Sequence, residues 1–337
     1  YAYDDGGNIQ SKTEYAYTTG SLGAAVRTIP YGYGDASWSD LLTSIDGQSL
    51  TADEIGNLLS DGTWTYTWQH GRQLAGMSKS GQTIAYGYDS DGKRISKIVD
   101  GTAYNYHYLG DQLVELTWGE NKMHFTYDST GPLSVNYNGT EYFYVKNAQG
   151  DVTGMVSASG TRVVTYTYDA WGNPLSTSGT MASTLGSVNP LRYRGYVYDT
   201  ETGLYYLQSR YYNPGWGRFI NTDDTALLLS TPGKAHWDKN VFAYCDNNPL
   251  NRVDEDGECW DIIIGGIVGG IVSGASTIVN DAIMGRETTV GSVLNSVLVG
   301  AVAGMASSTA LLLFHKSAGI AAVASGVSTY IGNRVSG

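Results

Sequence analysis

Few side chains in this sequence are equipped for chemistry, and most of those are carboxylates. Asp199 and Glu201 sit in the run Asp199-Thr200-Glu201-Thr202-Gly203. Asp223 and Asp224 follow Gly217-Arg218-Phe219, and Asp254, Glu255 and Asp256 precede Gly257. Two carboxylic acids held in contact cannot both ionise, so a pair can keep one proton as an acid while the other activates water. The same residues have a plainer use, Asp199 as a turn aspartate and Asp223-Asp224 as a solvated loop. Other reactive groups are sparse. Cys245 and Cys259, with no second pair and no histidine at metal spacing, make neither a zinc site nor a disulfide framework. The C-terminal part has no His-x-Glu with paired cysteines and no Gly-rich phosphate loop, so nuclease or deaminase chemistry is not expected there. No metal and no cofactor is expected.

The elements that must position these residues are repeats. The unit is an aromatic, one residue, an aromatic, an Asp or substitute, two residues and Gly. It reads Tyr1-Tyr3-Asp4 with Gly7-Asn8, Tyr86-Tyr88-Asp89 with Gly92, Phe125-Tyr127-Asp128 with Gly131, and Tyr142-Tyr144 with Asn147 and Gly150. Tyr166-Tyr168-Asp169 with Gly172-Asn173 is a further copy, and Asp53-Glu54-Ile55-Gly56-Asn57 is one without tyrosine. Aromatics two apart share one face of a strand, Asp at the strand end can bond its own backbone, and Gly supplies positive φ. The pattern predicts strand, turn, strand roughly every twenty residues, with stacked hairpins burying what one hairpin cannot. Asn138-Gly139-Thr140 reads as a hairpin turn, and Met181–Ser187 as a small-residue loop.

The totals agree. There are 27 tyrosines, five phenylalanines and 44 glycines in 337 residues, which suits half-wet sheet surfaces and is too aromatic for a disordered chain. The net charge of −12 argues against coating nucleic acid. From Asp261 onward three acids balance three bases, so the whole imbalance lies in residues 1–260. No basic-then-apolar leader opens the chain, and it starts inside a repeat, so a longer parent protein is expected.

The repeats resemble the tyrosine–aspartate (YD, or Rhs) repeats of bacterial polymorphic toxins, toxin-complex C components and the teneurin shell. The run GLYYLQSRYYNPGWGRFINTDD at 203–224 is similar to the Rhs-associated core that ends such shells. The resemblance implies a mainly β fold: a spiralling hairpin shell over 1–188, here an open part of a cocoon, and a closing core over 189–257. It implies a C-terminal toxin held for delivery, partnership with the rest of a parent Rhs protein, an immunity protein, and a secreted or bacterial cell-surface location. It also implies an aspartyl-type autoprotease in the core. Asp223 or Asp224 would be one acid, Asp199 or Glu201 its partner, Arg218 their counter-charge, and Asp254–Gly257 the cleavage region. Two departures weaken that reading: Glu255 stands where the family has proline, and no proline follows Asp223 or Asp224. A cell-surface module stacking tyrosines on sugars is a further reading.

The tail, 258–337, changes composition to Gly, Ala, Val and Ser and is expected to be helical. Residues 262–280, 290–314 and 317–333 carry no charge. Gly266, Gly270 and Gly274, then Gly300 and Gly304, recur four apart, the spacing that lets helices approach closely in membranes. The segment 262–333 is therefore expected to be either membrane-active or a buried helical spacer, with 290–314 long enough to cross a bilayer.

Overall fold

The computed structural model describes residues 1–223, 240–254 and 257, and the backbone of 261–262. The chain divides into two compact units, Tyr1–Pro249 with Asp254–Cys259, and Leu250–Val253 with Trp260–Gly337.

The first unit is mainly β, a meander in which almost every strand pairs antiparallel with the next. A five-stranded sheet takes β1 (Ala2–Tyr3), β2 (Ile9–Tyr15), β3 (Ala25–Gly32), β4 (Ser44–Ile45) and β5 (Gln48–Ser49) in order. Fourteen strands then form one sheet, again in chain order. They are β6 (Thr51–Ala52), β7 (Leu58–Ser60), β8 (Thr65–Gln69), β9 (Gln73–Lys79), β10 (Gln82–Tyr88), β11 (Arg94–Val99) and β12 (Thr102–Leu109). They continue through β13 (Gln112–Trp118), β14 (Asn121–Asp128), β15 (Gly131–Tyr137), β16 (Thr140–Lys146), β17 (Val152–Ser157), β18 (Arg162–Tyr168) and β19 (Pro174–Ser178). The loop expected at Met181–Ser187 ends in a one-turn helix, α1 (Leu185–Val188). A four-stranded sheet of β20 (Val197–Asp199), β21 (Leu204–Tyr206), β22 (Tyr211–Asn213) and β23 (Arg218–Phe219) follows. The large sheets are not closed into a barrel. In the second unit β24 (Arg252–Val253) pairs with β25 (Asp261–Ile262).

Two kinds of turn recur along the ribbon. Tight two-residue turns at Asp46-Gly47, Asp100-Gly101 and Asn138-Gly139 have positive φ at both positions, which only Asn or Asp followed by Gly adopts readily. Wide turns run from the repeat acid to the residue after the glycine: 4–8, 53–57, 89–93, 147–151 and 169–173. In each, the first side chain accepts from the fifth backbone N–H at 2.8–2.9 Å. In four of them it also accepts from the third, at 2.9–3.0 Å. The Asp, or Asn147, thus satisfies the turn from within.

Eight hairpins carry a β-bulge just past the turn, five of them after a wide turn and three after the shorter turns at 70–72, 110–111 and 129–130. The unpaired residues are Gln10, Leu59, Ala75, Ile95, Val114, Leu133, Thr153 and Leu175. A bulge disrupts the ladder and increases the twist, so its regular repetition curves the ribbon. A later aromatic then caps a carbonyl beside the bulge. Tyr33, Tyr88, Tyr127 and Tyr168 donate to the carbonyls of Ile9, Leu74, Leu113 and Val152 at 2.8–3.0 Å. The Trp68 indole does the same for Leu58 at 2.7 Å. The second aromatic of the repeat is therefore a hydrogen-bond donor as well as a core residue.

The first aromatic fills the core. Tyr66, Tyr86, Tyr106, Phe125 and Tyr166 are buried on one face with Met77, Met123 and Met155. So is Tyr144, which the pairing makes the first aromatic of its unit, ahead of Lys146, in place of the Tyr142-Tyr144 register read from the sequence. The rings pack on one another, as where Trp118 stacks between Tyr104 and Tyr137. The ribbon's start returns to its end: Tyr1 lies 5.3 Å from the Trp171 ring and Lys12 Nζ 3.9 Å from Asp169.

A tyrosine that caps a bulge carbonyl should be costly to replace by phenylalanine. Tyr127→Phe and Tyr168→Phe are expected to cost about 1–3 kcal/mol each, because a buried acceptor loses its donor. Tyr17→Phe, at a side chain 93% exposed, is expected to cost nothing measurable. Urea unfolding midpoints of the whole chain decide; equal midpoints for all three variants would refute the capping role.

Candidate functional site

The segment after α1 is short strands joined by tight turns, too small to hold itself together, and its side chains reach into the repeat shell. Three core tyrosines donate to three consecutive carbonyls of one wide turn. Tyr193 bonds Ala170 O at 3.2 Å, Tyr212 bonds Trp171 O at 2.7 Å and Tyr205 bonds Gly172 O at 2.9 Å. Gly172 has φ +84, and a Cβ there would lie 2.5 Å from the Tyr193 ring, so conformation and space both require glycine. Tyr205, Tyr212 and Tyr244 are fully buried, and the last two stack at 4.1 Å.

A second junction is electrostatic. Asp199, at the end of β20, is fully buried and binds Arg94 of β11 through both oxygens, to Nη1 and, at 3.1 Å, to Nη2. Lys97 Nζ lies 3.0 Å from Asp199 Oδ1 and 2.8 Å from Glu201 Oε2. The guanidinium faces the rings of Tyr86, Tyr106, Tyr206 and Tyr211 at 4.5–5.7 Å, and Tyr206 Oη accepts from Arg94 N at 2.8 Å. Burial alone would raise the Asp199 carboxyl, but the charges of Arg94 and Lys97 outweigh it and hold the group below the ordinary carboxylate value. Burial lowers the Lys97 ammonium, yet Asp199 and its neighbours raise it on balance.

Two more arginines tie the core down. Arg218 is buried and donates to Asn8 Oδ1 at 3.2 Å, Asp40 O at 2.8 Å, Asn240 Oδ1 at 3.2 Å and the Tyr33 hydroxyl. Desolvation lowers its pKa. Asn247 Nδ2 reaches Gly7 O at 2.7 Å, so the first wide turn is clasped by residues more than two hundred positions away. Arg210 lies over the Phe219 ring at 3.7 Å. Its Nη2 is 3.1 Å from Asp254 Oδ2 and 3.4 Å from Asp223 Oδ2, and its Nε donates to Gly257 O.

The acids singled out in the sequence are thus distributed over different cations. Asp199 and Glu201 belong to Arg94 and Lys97, whereas Asp223 shares Arg210 with Asp254, so Asp254 joins Asp223 on the guanidinium that also holds Gly257. Arg218 serves the first wide turn, and none of these acids is among its partners named above. Asp224, Glu255, Asp256, Gly266, Gly270, Gly274, Gly300 and Gly304 lie outside the described residues. Among the described residues no helix is long and apolar enough to cross a membrane, and no three His, Cys, Asp or Glu side chains cluster as metal ligands. Arg94, Lys97 and Arg210 had no motif to mark them. The signal that could have found Arg94 is a charge at the position after the turn where other repeats carry Ile9, Leu58, Leu74 or Val152.

The teneurin YD-shell family model matches residues 1–250. The tRNA3(Ser)-specific nuclease WapA of Bacillus spizizenii is 42% identical over 236 residues, covering 67% of this chain and 10% of that protein. The probable deoxyribonuclease RhsB of Dickeya dadantii is 30% identical over 209 residues, covering 57% of this chain and 13% of that protein. The crystal structure of TcdB2-TccC3-Cdc42 superposes with a TM-score of 0.52 at 19% identity, covering 77% of this chain and 13% of that one. The chain therefore spans about a tenth of the length of its WapA relatives.

Asp199→Asn should destabilise the whole chain by about 3–5 kcal/mol, because it strands the buried Arg94 guanidinium and leaves Lys97 with Glu201 as its one carboxylate. Arg27→Ala, which breaks the exposed Arg27–Asp46 pair, should cost under about 1 kcal/mol. The sign with pH follows from the lowered Asp199 value. While Asp199 is a free carboxylate, its contribution is complete above the unfolded carboxylate pKa of about 4 and falls away as pH drops through the lower folded value. Chemical unfolding at neutral pH and at successively lower pH measures both, and an Asp199→Asn chain as stable as the parent would refute the assignment.

Proposed function

The chain belongs to the teneurin YD-shell family, and from that premise we propose that it is the closing end of a toxin-delivery shell carried by a longer protein. Residues 1–188 are the repeat wall, 189–257 the core that closes it, and 258–337 the segment beyond the closure, a small membrane-active or spacer piece. The observation that carries this reading is the way the core is bonded into the repeat turns, through the Tyr193, Tyr205 and Tyr212 pins, the Arg94–Asp199 pair and the Arg218 clasp. A fold hosts many functions, so the assignment rests on this junction and on the named relatives as well as on the sheet. Its partners are the remainder of a parent Rhs protein, a C-terminal toxin segment and an immunity protein, and its location is secreted or cell-surface. The nuclease activities in the relatives' names belong to those proteins, and the family match ends at residue 250, ahead of the tail.

The tail is tested on vesicles. A membrane-active segment predicts dye release from liposomes by the whole chain, lost when Gly266, Gly270 and Gly274 are changed to Leu. A chain that leaves vesicles intact removes the membrane role and retains the spacer.

A second reading has one specific observation in its favour. Asp223 and Asp254 share Arg210 Nη2, and Arg210 Nε holds the Gly257 carbonyl, so two acids lie beside the expected cleavage region. An aspartyl-type self-cleavage after the core would draw on these two acids, one of which must take up a proton against the pull of the shared guanidinium. Expression of the whole chain is expected to give a fragment ending just beyond Gly257, absent in Asp223→Asn and Asp254→Asn. A wild-type chain that stays intact on a denaturing gel would end this reading and leave the shell assignment standing.

A further inference from the structure

The Lys97, Asp199 and Glu201 side chains form a triad that does more than pair charges. Lys97 Nζ contacts the Asp199 carboxylate at 3.0 Å and the Glu201 carboxylate at 2.8 Å, so one amine touches two acids at once. Asp199 is fully buried, Lys97 nearly so, and Glu201 is partly open. Aromatic rings wall the amine and its neighbour: Lys97 Nζ lies 5.2 Å from the Tyr104 ring centre and Arg94 lies 5.0 Å from that of Tyr106. An amine, a buried carboxyl and a third acid touching the amine are the parts needed to make an amide between two side chains. We propose that Lys97 and Asp199 condense to an intramolecular isopeptide bond, with Glu201 carrying the protons, welding the closing core to the repeat shell.

The atoms balance without a co-reactant. The resting pair is an ammonium and a carboxylate, and one proton passing from Nζ by way of Glu201 to Asp199 gives the reactive neutral amine and acid. Nζ attacks Cγ of Asp199, forming the C–N bond and a tetrahedral oxyanion. Arg94, which holds both Asp199 oxygens in the resting state, is the donor that stabilises this charge. Glu201 takes a proton from the nitrogen and returns it to the departing hydroxyl, the C–O bond breaks, and one water leaves. The amide replaces two buried charges by a neutral group, which removes the desolvation penalty that the resting pair carries. Arg94 keeps its four tyrosine faces, and the carbonyl oxygen of the new amide remains as its acceptor. The geometry orders the roles: Asp199 is the buried acid and becomes the acyl group, while the more open Glu201 exchanges protons.

The test is the intact mass of the whole chain. The expected result is a chain lighter by one water. Trypsin should then fail to cut after Lys97 and yield a branched peptide joining 95–122 to 195–210. Lys97→Arg keeps the cation and removes the amine, and Glu201→Gln keeps the partly open site and removes the proton carrier. Both variants should regain the missing water while staying folded by circular dichroism. A wild-type chain of full mass that is cut normally after Lys97 overturns the proposal. So does a water deficit that persists in Lys97→Arg, because cyclisation at an Asp-Gly turn such as Asp100-Gly101 would then be its source.

Discussion

The shell depends on one small interaction, a tyrosine hydroxyl given to a carbonyl beside a β-bulge. The bulge is what curves the ribbon, but it interrupts the ladder and leaves backbone in the interior that needs a donor. Water is a poor solution under an aromatic core, and a phenylalanine would fill the space without supplying a proton. Tyrosine does both, and Tyr88, Tyr127 and Tyr168 reach back to Leu74, Leu113 and Val152 in the same way. Where the repeat departs from the rule, the bonding departs with it. Lys146 stands in the tyrosine position and its Nζ bonds Thr130 O instead, at 3.1 Å. Tyr108 follows the turn that begins β11 with Arg94 in place of an aliphatic residue, and its buried hydroxyl has no hydrogen-bond partner. The repeat that loses its cap is the one whose arginine is committed to the core.

The core uses the same currency with the direction reversed. A wide turn folded around its own Asp points carbonyls outward, and Tyr193, Tyr205 and Tyr212 fill those of Ala170, Gly172 and Trp171. Burying so many hydroxyls leaves little room for acids, which explains how the arginines are held. Arg94 has a carboxylate and four rings. Arg192 has the carbonyls of Asn189 and Gly186 and the Tyr166 face at 4.1 Å. Arg218 is held by amide and carbonyl oxygens with a tyrosine hydroxyl. A chain with a net charge of −12 thus keeps cations inside and most of its acids at turns and on the surface.

Much of the shell was legible because it is local. Aromatic alternation, the Asp at the strand end and the glycine three further on specify strand and turn without reference to the rest of the chain, and Asn138-Gly139 could be placed as a tight turn on its dipeptide alone. The bulges were not legible, since a bulge is a property of pairing between two strands and appears in neither strand's sequence. The same limit applied to the site. Asp199 reads as a turn residue or an acid of some other kind until Arg94, more than a hundred positions earlier, is brought beside it. Asp254 reads as part of a cut site until Arg210 sets it against Asp223. Long-range ion pairs carry no spacing rule, so residue type could nominate the carboxylates but could not distribute them.

That distribution separates two tasks. The bonds that hold the core to the shell run through Asp199, Arg218, Asn247 and the tyrosine pins, and all of them lie at or before Asn247. The bonds at Gly257 and Asp254 include those from Arg210 to both residues and that from the Asp254 N–H to the Tyr196 hydroxyl at 3.2 Å. Arg210 is itself anchored inside the core by the Phe219 ring at 3.7 Å and the Val241 carbonyl at 3.2 Å. A break in the backbone beyond Gly257 would leave in place the closing contacts named here, and loss of Arg210 would disturb the end of the core without removing the Arg218 bonds to the first wide turn. Closure of the first wide turn and the hold on Gly257 thus rest on different cations, Arg218 and Arg210.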